Sequence, residues 1–102
     1  METKVKLRIT IDKDLADIVP GYLENREKDV ILLPQAIREN DFDSLKMIGH
    51  RMKGSGAGYG FQQISDIGNR MEQAATIQDL DTIRDCLDQL IDYLRKVEVV
   101  YE

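Results

Sequence analysis

The stretch I-G-H-R-M-K-G-S-G-A-G-Y-G runs from Ile48 to Gly60 and contains His50, the only histidine of the chain. On a helix with about 100° between residues, the apolar positions of this region fall on one side, within roughly 60° of each other. His50 lies about 140–150° away from that side. The sequence therefore predicts a helix with one face buried in a core and its single imidazole in solvent. The buried face is expected to consist of Leu45, Ile48, Met52, Gly56 and Tyr59.

The helical neighbours of His50 decide what its imidazole can do, because residues three and four positions apart share a surface patch. Lys46 lies one turn before it, Lys53 and Gly54 one turn after it, and Ala57 two turns after it. The patch thus joins a nucleophile to two ammonium groups that offset negative charge. A glycine in a helix interior costs about 0.8–1.0 kcal/mol relative to alanine. The pattern favours a close approach of another molecule to the backbone beside His50.

The composition is that of one acidic globular domain spanning residues 1–102. Of the 102 residues, 42% are hydrophobic, and the formal net charge of −5 argues against nucleic acid and membrane surfaces as partners. Cys86 is the only cysteine, so an intramolecular disulfide and a thiolate metal cluster are excluded. The sequence contains no apolar run of spanning length and no signal-peptide core. We therefore expect a cytoplasmic protein, and the start and end of the chain favour a stand-alone module.

Four amphipathic segments with short connections predict an all-α fold, an antiparallel up-down four-helix bundle. The first helix is expected over about residues 20–40, the third over about 61–76 and the fourth over about 80–100. The hexamers Asn40–Leu45 and Gln78–Ile83 match position by position, and each places an aspartate where it caps free amides. These two hexamers therefore mark the starts of the second and fourth helices.

Two prolines and an aspartate pair shape the first part of the bundle. The segment from residue 12 to 19 reads as a short helical turn capped by Asp12 or Asp14, and Pro20 suits the first position of the helix that follows. Pro34 removes a backbone donor and crowds the carbonyl of Val30. We expect a kink or a local break near residues 30–34.

Residues Lys4 to Ile11 alternate basic or polar with apolar side chains, which is the period of a half-buried strand. No second strand is apparent in the sequence. The first 12 residues are therefore expected to form an extended arm that packs over the bundle. The chain is then expected to be a monomer. The alternative is a homodimer in which two copies exchange this strand.

Other uses of His50 fit the sequence less well. A zinc site requires further ligands, and Lys53 would repel the cation. No serine or cysteine nucleophile is paired with His50 for a catalytic triad. The glycine run lacks the G-x-G-x-x-G spacing, and Gly49–Ser55 lacks the lysine of a phosphate loop. A purely structural histidine stays open, although His50 lies off the apolar face.

The hexamer His50-Arg51-Met52-Lys53-Gly54-Ser55 fits the motif H-x-[ML]-K-G-[SA]. At these residues the sequence resembles the histidine-containing phosphotransfer (HPt) family. The resemblance continues through Gly60-Phe61 and through the helix that ends in Met71–Ala75, so that it covers roughly residues 20–101. It implies a phosphorelay intermediate of two-component signal transduction, a phosphoprotein that carries phosphohistidine in a four-helix bundle.

The resemblance also implies partners and a reaction. His50 would accept a phosphoryl group from the aspartate of a receiver domain or a hybrid histidine kinase and pass it to a response-regulator aspartate. Because no nucleotide-binding domain is present, the module is expected to lack autokinase activity. We expect no cofactor of its own, since Mg²⁺ would come with the acidic site of the receiver domain.

The same resemblance implies roles for Lys53, Gly54 and Glu72. Lys53 matches the lysine that neutralises the phosphoryl group, which carries roughly −2 charge, and Gly54 matches a glycine that lets the partner approach. Glu72 matches a position on the next helix that orients the imidazole. A carboxylate accepting from Nδ1–H leaves Nε2 free as the nucleophile, although an exposed helix glutamate with no such role is the alternative.

The partner is expected to cover the face around Lys46, His50, Lys53, Gly54 and Ala57, with apolar support from Phe42 or Phe61. Two rival functions stay open. A helical adaptor could bind and sequester receiver domains or kinases without carrying phosphate. A strand-exchanged structural dimer built on residues 4–11 would make the histidine face incidental.

Overall fold

The computed structural model describes residues 6–102, and this part of the chain forms a four-helix bundle, as predicted. Two short strands flank the helices in the sequence. Within the described residues, no helix is both long and apolar enough to cross a membrane. The elements are β1 (Leu7–Ile11), α1 (Val19–Arg38), α2 (Phe42–Ser55), α3 (Gln62–Thr76), α4 (Leu80–Lys96) and β2 (Val97–Tyr101).

The starts of α2 and α4 are built alike, as their matching hexamers predict. Asp41 accepts hydrogen bonds from the backbone amide of Ser44 at 3.1 Å and from its hydroxyl at 2.7 Å. Asp79 accepts the same pair from Thr82, at 3.2 and 2.7 Å. The hydroxyl bonds, followed by the amide bonds, lower the pKa of both carboxyls. Each aspartate thereby satisfies an amide that the first turn of its helix leaves free.

The break that Pro34 predicts in the first helix does not occur. α1 runs without interruption from Val19 to Arg38 through Pro34. Leu33, Ala36 and Ile37 are buried on both sides of the proline. Because this apolar face is held by the core, packing outweighs the loss of one backbone hydrogen bond.

The segment before α1 forms the capped turn that the sequence predicts. A single turn of 3-10 helix covers Lys13–Leu15, and the Asp12 side chain caps it by accepting from the Asp14 amide at 2.9 Å. Pro20 lies in the first turn of α1, where a residue without an amide proton leaves no helical hydrogen bond unmade.

The expectation that the chain has no second strand is wrong. The last helix ends at Lys96 rather than near residue 100, and Val97–Tyr101 forms β2, which pairs with β1 in parallel. The sequence V-E-V-V-Y is rich in β-branched residues, which favour an extended backbone. The apolar residues of the two strands face each other as Leu7 with Val97, Ile9 with Val99 and Ile11 with Tyr101.

The strand pairing removes the reason for a strand-exchanged dimer. β1 finds its ladder partner in the same chain, and bonds from Glu102 N to Ile11 O and from Lys13 N to Glu102 O, both 3.0 Å, extend the pairing. The predicted strand is confirmed for Leu7–Ile11. Lys4 and Val5, with the rest of the first five residues of the predicted arm, lie outside the described residues.

The glycine-rich connection between α2 and α3 forms a tight turn. One 3-10 turn covers Ala57–Tyr59, and Gly60 follows with φ of 97°, a left-handed conformation that glycine adopts without steric cost. Ile11 packs against Gly60, and Tyr59 stacks on Tyr22 with ring centroids 4.2 Å apart. These contacts fix the end of α2 that follows the histidine.

Candidate functional site

The predicted orientation of α2 is confirmed. Leu45, Ile48 and Met52 are buried, whereas the side chain of His50 is 71% exposed. Gly56 is buried as well, and Tyr59 is half-buried on the 3-10 turn. An apolar face thus holds the helix rigidly while the imidazole reaches solvent from its middle.

Glu72 of α3 lies directly beside the imidazole. Its Oε2 atom is 2.7 Å from His50 Nδ1, and only 18% of the Glu72 side chain is exposed. A carboxylate accepts but does not donate, so Nδ1 carries the proton in this pair. Among the described residues, Nε2 has no hydrogen-bond partner, and its lone pair is therefore available to an electrophile.

Lys53 shares the same carboxylate. Its Nζ atom lies 3.3 Å from Glu72 Oε1, so one glutamate binds both the imidazole and the ammonium group. The hydrogen bond from His50, and with a smaller effect that from Lys53, lower the pKa of Glu72. The carboxylate is thereby kept ionised in the range where it accepts from both groups.

Three further residues predicted for this face are exposed on or just after α2. Lys46, Gly54 and Ala57 all face solvent. A Cβ atom added at Gly54 would meet nothing within 4 Å, so no packing inside the described part of the chain accounts for this glycine. The structure therefore joins His50, Lys53 and Glu72 in one cluster and leaves an open strip of small and basic residues around it.

Gly49 and Gly68 also lie at this site, although the sequence did not indicate a role for them there. A Cβ added at Gly49 would lie 2.7 Å from the Glu72 amide nitrogen, and one added at Gly68 would lie 2.6 Å from the carbonyl oxygen of Gly49. α2 and α3 thus touch backbone to backbone beside the cluster. The available signal was a glycine inside each helix, where it is unfavourable on its own.

The aromatic support expected near His50 is different in the structure. Phe61 is fully buried in the core, so it cannot contact a partner, and Phe42 is half-buried. Of the exposed apolar side chains, Met47 lies three residues before His50 and is 53% exposed, and Leu32 of α1 lines a groove together with it. The neighbour rule for helices would have found Met47.

The thiol of Cys86 is not part of this cluster. Cys86 is buried in α4, and burial raises the pKa of its thiol. Within residues 6–102, no group of three or more His, Cys, Asp or Glu side chains is arranged to hold a metal ion.

The fold and the cluster together define a helical domain with one exposed histidine supported by a carboxylate and an ammonium group. A family model described as Hpt domain matches residues 17–97, which is more than half of the chain, so the chain belongs to the Hpt domain family. This family works in phosphotransfer in two-component signalling, where its members interact with response-regulator receivers and kinases. Comparisons with curated proteins and with solved structures find no match.

Proposed function

We propose that this domain is a phosphorelay intermediate in which His50 is the phospho-accepting residue. It takes a phosphoryl group from the aspartate of a receiver domain or hybrid histidine kinase and passes it to the aspartate of a response regulator. The observation that supports this most directly is the 2.7 Å contact between Glu72 Oε2 and His50 Nδ1. This contact directs the Nε2 lone pair to solvent, where a second domain can present its phosphoryl group.

The charges of His50 and Glu72 suit this transfer. The Nε2 lone pair attacks the phosphorus atom of the aspartyl phosphate, a nitrogen–phosphorus bond forms, and the phosphorus–oxygen bond breaks with its electrons leaving on the aspartate carboxylate. The imidazole gains positive charge while Nδ1 keeps its proton. Glu72 offsets that charge from the other side of the ring. Transfer to the second aspartate is the reverse process.

Lys53 supplies the opposite compensation. A phosphoryl group on Nε2 carries roughly −2 charge, and the Lys53 ammonium group lies one helical turn from His50. Without phosphate, the Nζ atom rests 3.3 Å from Glu72 Oε1. We infer that it turns toward the phosphoryl oxygens once they are present, and the exposure of its side chain leaves room for this movement.

The partner would dock on the strip that His50 shares with Lys46, Gly54 and Ala57. Beside it, a groove of about 370 Å³ runs between α1 and α2, and Leu32, Met47 and Arg51 are among its lining residues. The groove is also lined by the carboxylates Glu39 and Asp41, and exposed apolar side chains among charged groups of both signs suit a second protein surface. Such an interface is modest in area and the contact transient, as relay exchange requires.

The proposal also includes the source of Mg²⁺ and the compartment in which transfer occurs. Receiver domains carry their own acidic pocket, so Mg²⁺ would arrive with the partner rather than be held by this chain. We place the exchange in the cytoplasm, where receiver domains and the catalytic parts of histidine kinases meet.

A panel of phosphorylated receiver domains tests the proposal. The wild-type domain should gain a phosphate that is labile in acid and stable in base, whereas His50→Gln should gain none. Gln73→Ala changes an exposed position of α3 one residue after Glu72, and this matched variant should behave as wild type. If receivers bind both wild type and His50→Gln but transfer no phosphate to either, the domain is an adaptor and the proposal is wrong.

A further inference from the structure

A close approach of α2 and α3 lies beside the His50 cluster. Gly49 precedes His50 by one residue, and a Cβ at this position would lie 2.7 Å from the Glu72 amide nitrogen and 2.9 Å from the Gly68 carbonyl oxygen. A Cβ at Gly68 would collide with the backbone nitrogen of Lys53 and lie 2.6 Å from the Gly49 carbonyl oxygen. No side chain fits between the helices at either position.

The two glycines and the two polar residues are arranged reciprocally. Gly49 and Lys53 are four residues apart on α2, and Gly68 and Glu72 are four residues apart on α3. Each glycine lies against the backbone of the polar residue on the opposite helix. The separation of the helices at this point therefore sets how far Glu72 must reach to His50 and Lys53.

We propose that Gly49 and Gly68 are positioning residues for phosphotransfer, which act by holding α3 close enough for Glu72 to bind His50 Nδ1 and Lys53 Nζ. This inference rests on the proposed function of His50. The glycines touch neither the phosphoryl group nor the partner, and their effect passes through Glu72.

The distances show why one methyl group matters. Restoring ordinary contacts around a Cβ at Gly68 requires the helices to separate or shift by something on the order of 1 Å. The bond from His50 Nδ1 to Glu72 is 2.7 Å and that from Lys53 is 3.3 Å. Lengthened by that amount, both pairs leave the range of hydrogen bonds.

Gly56 offers a matched control for packing damage. A Cβ there would lie 2.6 Å from the Ser65 amide nitrogen and 2.8 Å from the Phe61 carbonyl oxygen. The crowding is similar and lies where the end of α2 meets the beginning of α3, but these neighbours are distant in sequence from Glu72. Gly56→Ala should therefore strain the interface without moving the carboxylate from His50.

Nuclear magnetic resonance of the unphosphorylated, isotopically labelled protein tests the positioning role without any transfer reaction. In Gly68→Ala, the pKa of Glu72 should rise toward its ordinary range, and the nitrogen shifts of His50 should lose the predominance of the Nδ1–H tautomer. Gly56→Ala should keep both wild-type readouts. Phosphorylation by a receiver should slow by between about 10-fold and 100-fold in Gly68→Ala, with little change in receiver affinity.

A double variant isolates the path of the effect. If Gly68 acts through Glu72, adding Gly68→Ala to Glu72→Ala, which has already lost the acceptor of Nδ1–H, should slow transfer no further. If the two substitutions slow transfer independently, so that their factors multiply in the double variant, the positioning role is overturned. An unchanged Glu72 titration in Gly68→Ala would overturn it as well. Gly49→Ala is the second variant for the same readouts, and failure of both single variants to fold would also count against it.

The phospho-accepting role of His50 and the positioning role of Gly49 and Gly68 can be tested separately. If wild type accepts no phosphate from any receiver, the proposed function fails, and the positioning role fails with it. If wild type is phosphorylated while Gly68→Ala keeps the wild-type Glu72 titration and His50 tautomer, the positioning role alone is overturned.

Discussion

Lys53 Nζ lies 3.3 Å from Glu72 Oε1, on the same carboxylate whose other oxygen binds His50 Nδ1. The unphosphorylated site is therefore charge-balanced around a single glutamate. If a phosphoryl group bonds to Nε2, as proposed, new negative charge appears beside an ammonium group that is already close and only loosely bound. Exposed ion pairs of this kind contribute little to stability, so Lys53 can exchange partners at small cost.

Removing the ammonium group should slow transfer without unfolding the domain. Lys53→Gln is expected to lower the rate of phosphorylation roughly tenfold, equivalent to about 1.4 kcal/mol of transition-state stabilisation. Lys96→Gln is the matched control, because Lys96 also pairs with a carboxylate, Asp92 at 2.9 Å, but on α4. Rapid-quench kinetics with one phosphorylated receiver measures both variants, and equal rates for them would argue against the role of Lys53.

Changing Glu72 should give a graded loss. Glu72→Ala leaves Nδ1 without its acceptor, and we expect a decrease of about tenfold or more in the transfer rate. Glu72→Gln should lose less, because its amide oxygen still accepts from Nδ1–H. Single-turnover rates of the three proteins, compared at equal receiver saturation, check the order. A Glu72→Ala rate equal to that of wild type would remove Glu72 from the mechanism.

Two capping carboxylates should contribute to the acid sensitivity of the fold. Hydrogen bonds from Ser44 and Thr82 lower the pKa of Asp41 and Asp79 in the folded state. A group with a lowered folded-state pKa adds stability above its unfolded pKa, and this contribution is lost as the pH falls through the folded pKa. The free energy of unfolding should therefore decrease as the pH falls from about 5 to about 3.

Asparagine substitutions test this origin of the acid sensitivity. Asparagine caps helices about as well as aspartate but does not titrate. Asp41→Asn and Asp79→Asn should each make the free energy of unfolding less dependent on pH, as measured by urea unfolding at several pH values. Asp88→Asn, an exposed change on α4, is the control. An unchanged pH dependence in both capping variants would contradict the assignment.

The parallel strand pair should stabilise the monomer. Ile11 is 3% exposed and packs against Gly60, so Ile11→Ala should lower the free energy of unfolding by about 2–4 kcal/mol. The adjacent exposed Thr10→Ala should change it by less than about 0.5 kcal/mol. Thermal midpoints of wild type should not depend on protein concentration. A rise of the midpoint with concentration would favour strand pairing between copies.

The groove between α1 and α2 should contribute to receiver affinity. Met47→Ala and Leu32→Ala are each expected to weaken binding by about tenfold, the effect of a central apolar contact. Ile77→Ala is the control, because Ile77 is similarly exposed but lies between α3 and α4. Isothermal titration with a receiver that phosphorylates the domain measures all three. Equal losses at Ile77 would show that this groove has no special part in docking.

The helices and the face of His50 can be predicted from the sequence, because both depend on local patterns. The capping aspartates Asp41 and Asp79 and the apolar period of α2 follow from neighbours within a few residues. The pairing of β1 with β2 joins the two ends of the described chain, with Leu7 opposite Val97. The β-branched residues of β2 follow directly on the apolar pattern of α4. Such a local pattern does not show that these residues pair with a strand at the other end of the chain.

In the site, too, features that depend on local patterns could be predicted from the sequence, whereas contacts between distant segments could not. The exposure of His50 follows from helical geometry, and the role proposed for Glu72 follows from family register alone. The contact of Gly49 with Gly68 could not be predicted, since an interior glycine does not reveal which helix lies against it. Of the two aromatic residues expected to support docking, Phe61 is buried for a related reason: the left-handed turn at Gly60 redirects the chain, so helical spacing from His50 no longer applies.

Locating the phosphorus atom in the phosphorylated domain tests whether His50 Nε2 is the nucleophile. Nitrogen–phosphorus couplings, measured after transfer from a receiver to protein labelled with ¹⁵N in histidine, distinguish the two imidazole nitrogens. We predict a phosphorus bond to His50 Nε2, with Nδ1 protonated and bound to Glu72. A phosphorus bond to Nδ1, or a phosphate on any residue other than His50, would contradict it.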